Sequence, residues 1–247
     1  MRLSGRNFSV EVNVPTRAAL MQSVRESFAA GTGFALATIN LDHVTKLERD
    51  DAFRDAYSAH DLVVADGNPI VWIARLAGKP VELVPGSELV LPMAGLAAEM
   101  NAPVALVGSS DLALEGAAQA LRAAAPGIDI VYTHAPVYGF DPVGAPARAI
   151  LADIAASGAQ LVFIALGAPK QERFAALGRE LAPKAGFASI GAGLDFLSGH
   201  QTRAPKWVQK IAMEWFWRMA ASPRRMAGRY ALCLAELPGL AWRSRSG

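Results

Sequence analysis

The chain has 247 residues, 52% of them hydrophobic and 19% charged, with 24 Lys+Arg against 22 Asp+Glu and a formal net charge of +2. This composition excludes intrinsic disorder over most of the length, and the near balance of charge argues against a dedicated nucleic-acid binder. The length suits one large domain or two small ones, burying roughly 70–75% of the unfolded surface.

Leu20, Val24 and Phe28 recur at spacing four behind Thr16, which predicts a helix over 18–30 capped by that threonine. The apolar run 34–41 reads as a strand, followed by a helical stretch near 46–59. Residues 61–65 (DLVVA) form a short buried-strand pattern, and Pro69 suits the first turn of a helix over 68–77. A helix over 86–100 follows. Then come strand 104–107, helix 112–124, strand 128–132, helix 146–157, strand 161–166, helix 170–181 and strand 187–190. Continuous apolar strands separated by helices indicate an α/β, Rossmann-like, mostly parallel sheet with helices on both faces.

The alternation stops near 199–205, and the charge changes sign there. Residues 1–200 carry 15 basic and 20 acidic residues, net −5, whereas 201–247 carry 9 basic and 2 acidic, net +7. Four of the five tryptophans (Trp207, Trp215, Trp217 and Trp242) lie in this second part. We therefore divide the chain into an α/β core over 1–200 and a basic, Trp-rich helical appendage over 201–247. Within the appendage, Trp207, Val208, Ile211, Ala212, Trp215, Phe216 and Met219 form one apolar helical stripe. Ser222 and Pro223 begin a second helix, on which Arg225 and Arg229 share a face. The single Cys233 excludes an intramolecular disulfide, and the four scattered histidines do not suggest a zinc cluster. The first 15 residues lack the apolar core of a signal peptide. No window holds 18 uninterrupted apolar residues, so no transmembrane helix is expected.

Open parallel sheets bind ligands outside the carboxyl ends of their strands. Thr38 and Asn40 alternate on their strand and point the same way. Asp66-Gly67 ends the DLVVA strand, Gly108-Ser109-Ser110 follows 104–107, Gly167 to Glu172 follows 161–166, and Gly191-Ala192-Gly193-Leu194-Asp195 follows 187–190. Each has a local alternative: Asp66 as a helix cap, the glycines as positive-φ turns, Lys170 as a solvated first-turn charge, His134 as a structural residue. Gly191-x-Gly193 lacks the third glycine of a dinucleotide fingerprint, and Gly108-Ser109-Ser110 lacks the downstream glycine of a nucleophile elbow. No Asp-x-Asp motif supports a metal-chelated sugar nucleotide.

In order, the chain carries T-x-N, V-A-D-G-N-P, P-G-S-E-L, L-G-A-P-K-Q-E, G-A-G-L-D-F-L-S-G-x-x-x-R-A-P-x-W and E-W-x-W-R-x-x-x-x-P-R-R. This series closely resembles the WecG/TagA/CpsF glycosyltransferase family (glycosyltransferase family 26). The resemblance implies an inverting, metal-independent, cofactor-free transferase. It would move a sugar from a UDP-sugar (N-acetylmannosamine, its uronic acid or a glucose type) onto a polyprenyl-diphosphate-linked saccharide in cell-surface polysaccharide synthesis. It further implies a cytoplasmic protein, peripheral on the inner face of the membrane, whose C-terminal appendage helps to complete the active site. Asp66 matches the general base, and Thr38 and Asn40 match active-site polar groups. Gln171 matches a pocket glutamine beside Lys170. Gly191 and Gly193 match the nucleotide-contacting region, and Gly108 and Asp195, at their strand ends, are further substrate-binding candidates. Arg203 and the later Arg218, Arg224, Arg225 and Arg229 match positions near the diphosphate and the membrane. Leu83 stands where the family commonly has an arginine, and Glu88 where Asp is commoner.

The chemistry agrees with these residue types. A carboxylate at a strand end can take the acceptor hydroxyl's proton, and arginine, lysine and backbone N–H groups can receive the leaving diphosphate's charge. Of three readings for the tail (a solvated helix packed on the core, a nucleic-acid binder, an interfacial anchor), the anchor to an anionic membrane surface is favoured. Two other functional classes were weighed. A dinucleotide-dependent oxidoreductase lacks the third glycine and the usual acidic ribose ligand. A non-catalytic scaffold of a polysaccharide-assembly complex is disfavoured by the retained Thr38, Asn40, Asp66 and Gln171. Apolar faces on the core helices fit a homo-oligomer interface or simply core.

Overall fold

The computed structural model describes residues 1–201 and 223–245, with the side chains of the last stretch from Leu232 onward. An antiparallel hairpin, β1 (Arg2–Ser4) and β2 (Ser9–Glu11), precedes α1 (Arg17–Ala30). Thr16 caps α1 by accepting from the Ala19 N–H, and Gly31 at φ 63° closes it. Next come β3 (Ala35–Ile39), α2 (Leu41–Leu47), α3 (Asp51–Ser58), β4 (Leu62–Ala65), α4 (Asn68–Leu76) and α5 (Gly86–Glu99). They are followed by β5 (Val104–Gly108), α6 (Asp111–Ala124), β6 (Ile130–His134), α7 (Ala145–Ser157), β7 (Leu161–Ala165), α8 (Lys170–Leu181), β8 (Gly186–Ser189) and α9 (Gly193–Leu197). A final helix, here α10, runs over Pro223–Arg245.

Six strands form one sheet in the order β4-β3-β8-β7-β5-β6, and every pairing is parallel. Alternation along β7 explains why both faces are covered. Leu161 and Phe163 join α1, α5 and α6 in one core cluster, while Val162 and Ile164 join α7 and α8 in another. A third cluster gathers the hairpin, α2, α3 and α4 around Ile39, Phe53 and Ile70, and it contains Leu240 of α10. The predicted α/β class and parallel sheet are thus the observed ones.

Three expectations need correction. The strand expected over 34–41 stops at Ile39, because Asn40 caps α2 by accepting from the Asp42 and His43 N–H groups. The helical stretch expected near 46–59 is two helices, divided where Asp50 accepts from the Phe53 N–H and starts α3. The strand expected over 128–132 begins two residues later, since Ile128 still closes a turn onto the Ala125 carbonyl. The hairpin and α9 had no clear sequence signal. The first apolar stripe of the appendage, Ser222, Arg203 and Arg218 lie outside the described residues. The side chains of Arg224, Arg225 and Arg229 do too, although their backbone belongs to α10.

Candidate active site

Because the sheet is wholly parallel, the carboxyl ends of its strands share one edge, and the candidate residues collect there. Ile39 pairs with Ala65, and the Asp66 N–H donates to the Ile39 carbonyl at 2.7 Å, so Asp66 and Asn40 emerge side by side. Asp66 is half-buried. It does not cap the following helix: Gly67, at φ 114°, holds the N-cap position of α4, with no side-chain cap bond. Thr38 is buried, and its hydroxyl donates to the Ser189 carbonyl at 3.4 Å, tying β3 to β8. Gly86 opens α5 against it. A Cβ there would stand 3.0 Å from Thr38 Oγ1 and 3.3 Å from Ile190 Cα, so the P-G-S-E-L segment needs glycine for a close approach. Asn40 serves as the α2 cap just described.

The glycines divide by physical role. Gly191, at φ 59°, needs glycine for its backbone conformation and has open space where a Cβ would be. Gly193 is packed against Val90 and Ser87. Gly108 combines φ 117° with a position where any Cβ would overlap the Ala165 carbonyl. Asp195 is committed to protein contacts. It accepts from the Ser109 hydroxyl and, at 3.0 Å, from Gln201 Nε2, joining the β5 turn to α9.

The L-G-A-P-K-Q-E block holds a buried polar network that the sequence reading did not single out. Lys170 opens α8, half-buried. Gln171 is 2% exposed. Its Oε1 accepts from the Gly191 N–H at 3.1 Å, and its Nε2 donates to Glu172 Oε1 at 2.8 Å. Gln171 therefore braces a turn from beneath, rather than lining an open pocket. Glu172 is fully buried, and burial raises its pKa from 4.5 to about 7. His43 Nε2 lies 3.7 Å from Glu172 Oε1, and His43 Nδ1 lies 3.2 Å from the Tyr57 hydroxyl. Burial, then the charges of Glu172 and Asp66, push the Tyr57 phenol well above its ordinary pKa, so both carboxylates act on it. Lys46 donates to Asp42 and, at 3.0 Å, to the Ala168 carbonyl. With Arg49, Asp50 and Leu232 these two side chains line a cleft of about 470 Å³ between α2 and α10. His43 lies between the strand expected over 34–41 and the helix expected from 46, and Lys46 reads as an ordinary solvated charge at the start of that helix. Glu172 was hidden because an acidic residue in a first helical turn usually faces water.

Leu83 is 38% exposed. An arginine does stand against the neighbouring block: Arg17 donates to Glu88 at 2.7 Å. Among the described residues, no three His, Cys, Asp or Glu side chains gather as a metal site would require. No described helix is long and apolar enough to cross a membrane.

The sequence profile of the Glycosyl transferase WecG/TagA/CpsF family matches residues 6–246, almost the whole chain. The chain belongs to that family. Four of the segments on which the resemblance was drawn meet at the sheet edge: T-x-N at the end of β3, V-A-D-G at the end of β4, P-G-S-E-L opening α5, and K-Q-E opening α8. The chain is also 27% identical, over 195 residues, to N-acetylglucosaminyldiphosphoundecaprenol N-acetyl-beta-D-mannosaminyltransferase of Bacillus subtilis (strain 168). That match covers 78% of this chain and 73% of the relative. Of the functional classes weighed, WecG/TagA/CpsF membership selects the glycosyltransferase.

Proposed function

We propose that this glycosyltransferase moves a sugar from a UDP-sugar onto a polyprenyl-diphosphate-linked saccharide, with inversion and without a metal ion. Asp66 is the general base. The observation that carries the reading is a half-buried carboxylate at the carboxyl edge of a parallel sheet, in a chain of this family, that is not spent on capping its own helix. The name of the Bacillus subtilis relative supports a lipid-diphosphate acceptor and an N-acetylmannosamine-type donor. In the reaction the acceptor hydroxyl oxygen attacks the anomeric carbon as Asp66 takes its proton. The bond to the UDP oxygen breaks, and UDP leaves with the electron pair on its β-phosphate. The backbone N–H groups that open α5 and α8 face the same edge, where a helix N-terminus favours developing negative charge. Lys170 and the arginines of the appendage, Arg203, Arg218, Arg224, Arg225 and Arg229, supply further positive charge for the diphosphate or the membrane. In this reading 1–200 is the catalytic body and 201–247 the appendage that addresses an anionic membrane surface from the cytoplasmic side.

The test is a donor screen: the full chain, a polyprenyl-diphosphate-sugar acceptor and a panel of UDP-sugars, with and without EDTA. UDP release is expected to survive EDTA, and NMR of the product is expected to show an inverted anomeric centre. Asp66→Asn is expected to lower turnover about a hundredfold, the scale of a lost general base. Unchanged turnover in that variant removes Asp66 from the role.

A further inference from the structure

Glu172 is an unusual residue to find at 0% exposure, because burying an ionisable carboxyl is costly and an apolar side chain of the same size would pack with less penalty. Its surroundings compensate only in part. Oε1 accepts from Gln171 Nε2, the residue's own backbone N–H also bonds the carboxylate, and Lys46 adds a favourable charge that Asp42 opposes. His43 from α2 faces the same oxygen at 3.7 Å, and Tyr57 from α3 stands behind His43. Among the described residues Oε2 has no hydrogen-bond partner.

The arrangement has a consequence for Gln171. Oε1 accepts whether the carboxyl is ionised or holds its proton on Oε2, so the Gln171 amide turns its NH2 toward Glu172. Its carbonyl oxygen is then aimed at the Gly191 N–H, which it receives at 3.1 Å. Were the amide flipped, two donors would face each other at Gly191 and the turn would lose its brace. Gly191, at φ 59°, has nothing packed where its Cβ would be, so this bond adds to the one that spans the turn, from the Gly193 N–H to the Ile190 carbonyl at 3.2 Å.

We propose that Glu172 is a positioning residue for the transfer reaction: its carboxyl group sets the orientation of the Gln171 amide, which holds the Gly191 turn at the carboxyl edge of the sheet. The inference rests on the proposed transfer from a UDP-sugar, with the Gly191 turn as a nucleotide contact. Its direct readout does not.

The test compares wild type with E172M, E172D and E172Q in the full chain. Three quantities are read: amide hydrogen exchange at the Gly191 turn, KM for the donor against kcat, and the melting temperature. E172M removes the acceptor, and E172D keeps the charge but withdraws the oxygen by one methylene. Both are expected to speed exchange at the turn and to raise the donor KM, each about tenfold, the scale of one lost hydrogen bond, with kcat changing less. E172Q can still offer a carbonyl oxygen to Gln171 and is expected to bring both quantities back to within about threefold of wild type. The melting temperature of E172M is expected to be unchanged or higher. Unaltered exchange at Gly191 in E172M and E172D overturns the proposal. So does a fall in melting temperature with KM and kcat intact, or an E172Q as impaired as E172M. Should E172M not fold, E172D and E172Q decide the matter. A wild type that uses no UDP-sugar refutes the donor reading instead, while the exchange data still report on the brace.

Discussion

Two buried ionisable side chains oppose each other in pH. His60 is buried, with Nδ1 2.9 Å from the Ala56 carbonyl and Nε2 without a partner among the described residues, and burial lowers its pKa from 6.5 to about 4. Between those values the unfolded chain takes a proton that the folded chain refuses, so stability falls as pH drops from 6.5 toward 4. Glu172 has the opposite sign. Its pKa rises from 4.5 to about 7, so the folded chain keeps a proton that the unfolded chain has lost, and stability falls as pH rises through that window. The windows overlap, and the two slopes offset each other in the wild type. His60→Phe is expected to tilt the stability profile toward acid, and E172Q toward neutral and alkaline pH, in melts taken from pH 4.5 to 7.5. Parallel profiles for both variants and wild type would refute this. Neither tilt was legible in the sequence, because it depends on which titratable groups lose their water.

At the scale of elements, local signals were most reliable where a side chain bonds its own backbone. Thr16 was read as the cap of α1 and is one. Asn40 was read only as an active-site group, and the structure gives it a cap as well, accepting from two N–H groups at 3.1 Å. Asn40→Ala is expected to cost about 1 kcal/mol in urea denaturation and Asn40→Asp much less, since an aspartate also caps. A fall in transfer activity far beyond that stability loss would show that Asn40 also touches substrate. The misread strand end around 40 and the merged helix over 46–59 have the same origin. Apolar periodicity continues across a cap, whereas the backbone does not.

The whole molecule is joined at its ends. Arg6 donates to Glu236 at 2.6 Å, the Ser4 N–H to the Ser244 hydroxyl at 3.2 Å, and Arg243 to the Ser4 carbonyl at 3.3 Å, so α10 is fastened to β1 and its turn. Leu240 of α10 is fully buried among core residues. Leu240→Ala is expected to destabilise the chain by about 2–5 kcal/mol in thermal or chemical melts, as for other core truncations. Deleting the appendage would therefore disturb the fold as well as any membrane contact. A cleaner test of the anchor replaces Arg224, Arg225 and Arg229 with Gln. At about 1 kcal/mol per charge near an anionic leaflet, binding to anionic liposomes is expected to fall about a hundredfold, with the melting temperature unchanged. Equal co-sedimentation of variant and wild type would refute a role for these arginines at the membrane.

The sequence by itself determined the parallel α/β class, the capped helices, the split between an acidic body and a basic tail, and the family. Those rest on periodicity, local hydrogen bonding, net charge and motif order, all of which are written along one chain. Only the tertiary structure decided that Gln171 turns inward, that Glu172, His43 and Tyr57 form one buried network, and that the tail's last helix belongs partly to the core. Each of these depends on contacts between segments distant in sequence, such as Glu172 with His43 or Ser4 with Ser244. The net charge of +2 conceals the same division: its basic surplus lies after residue 200, in the part of the chain whose last helix buries Leu240 and keeps Trp242 exposed.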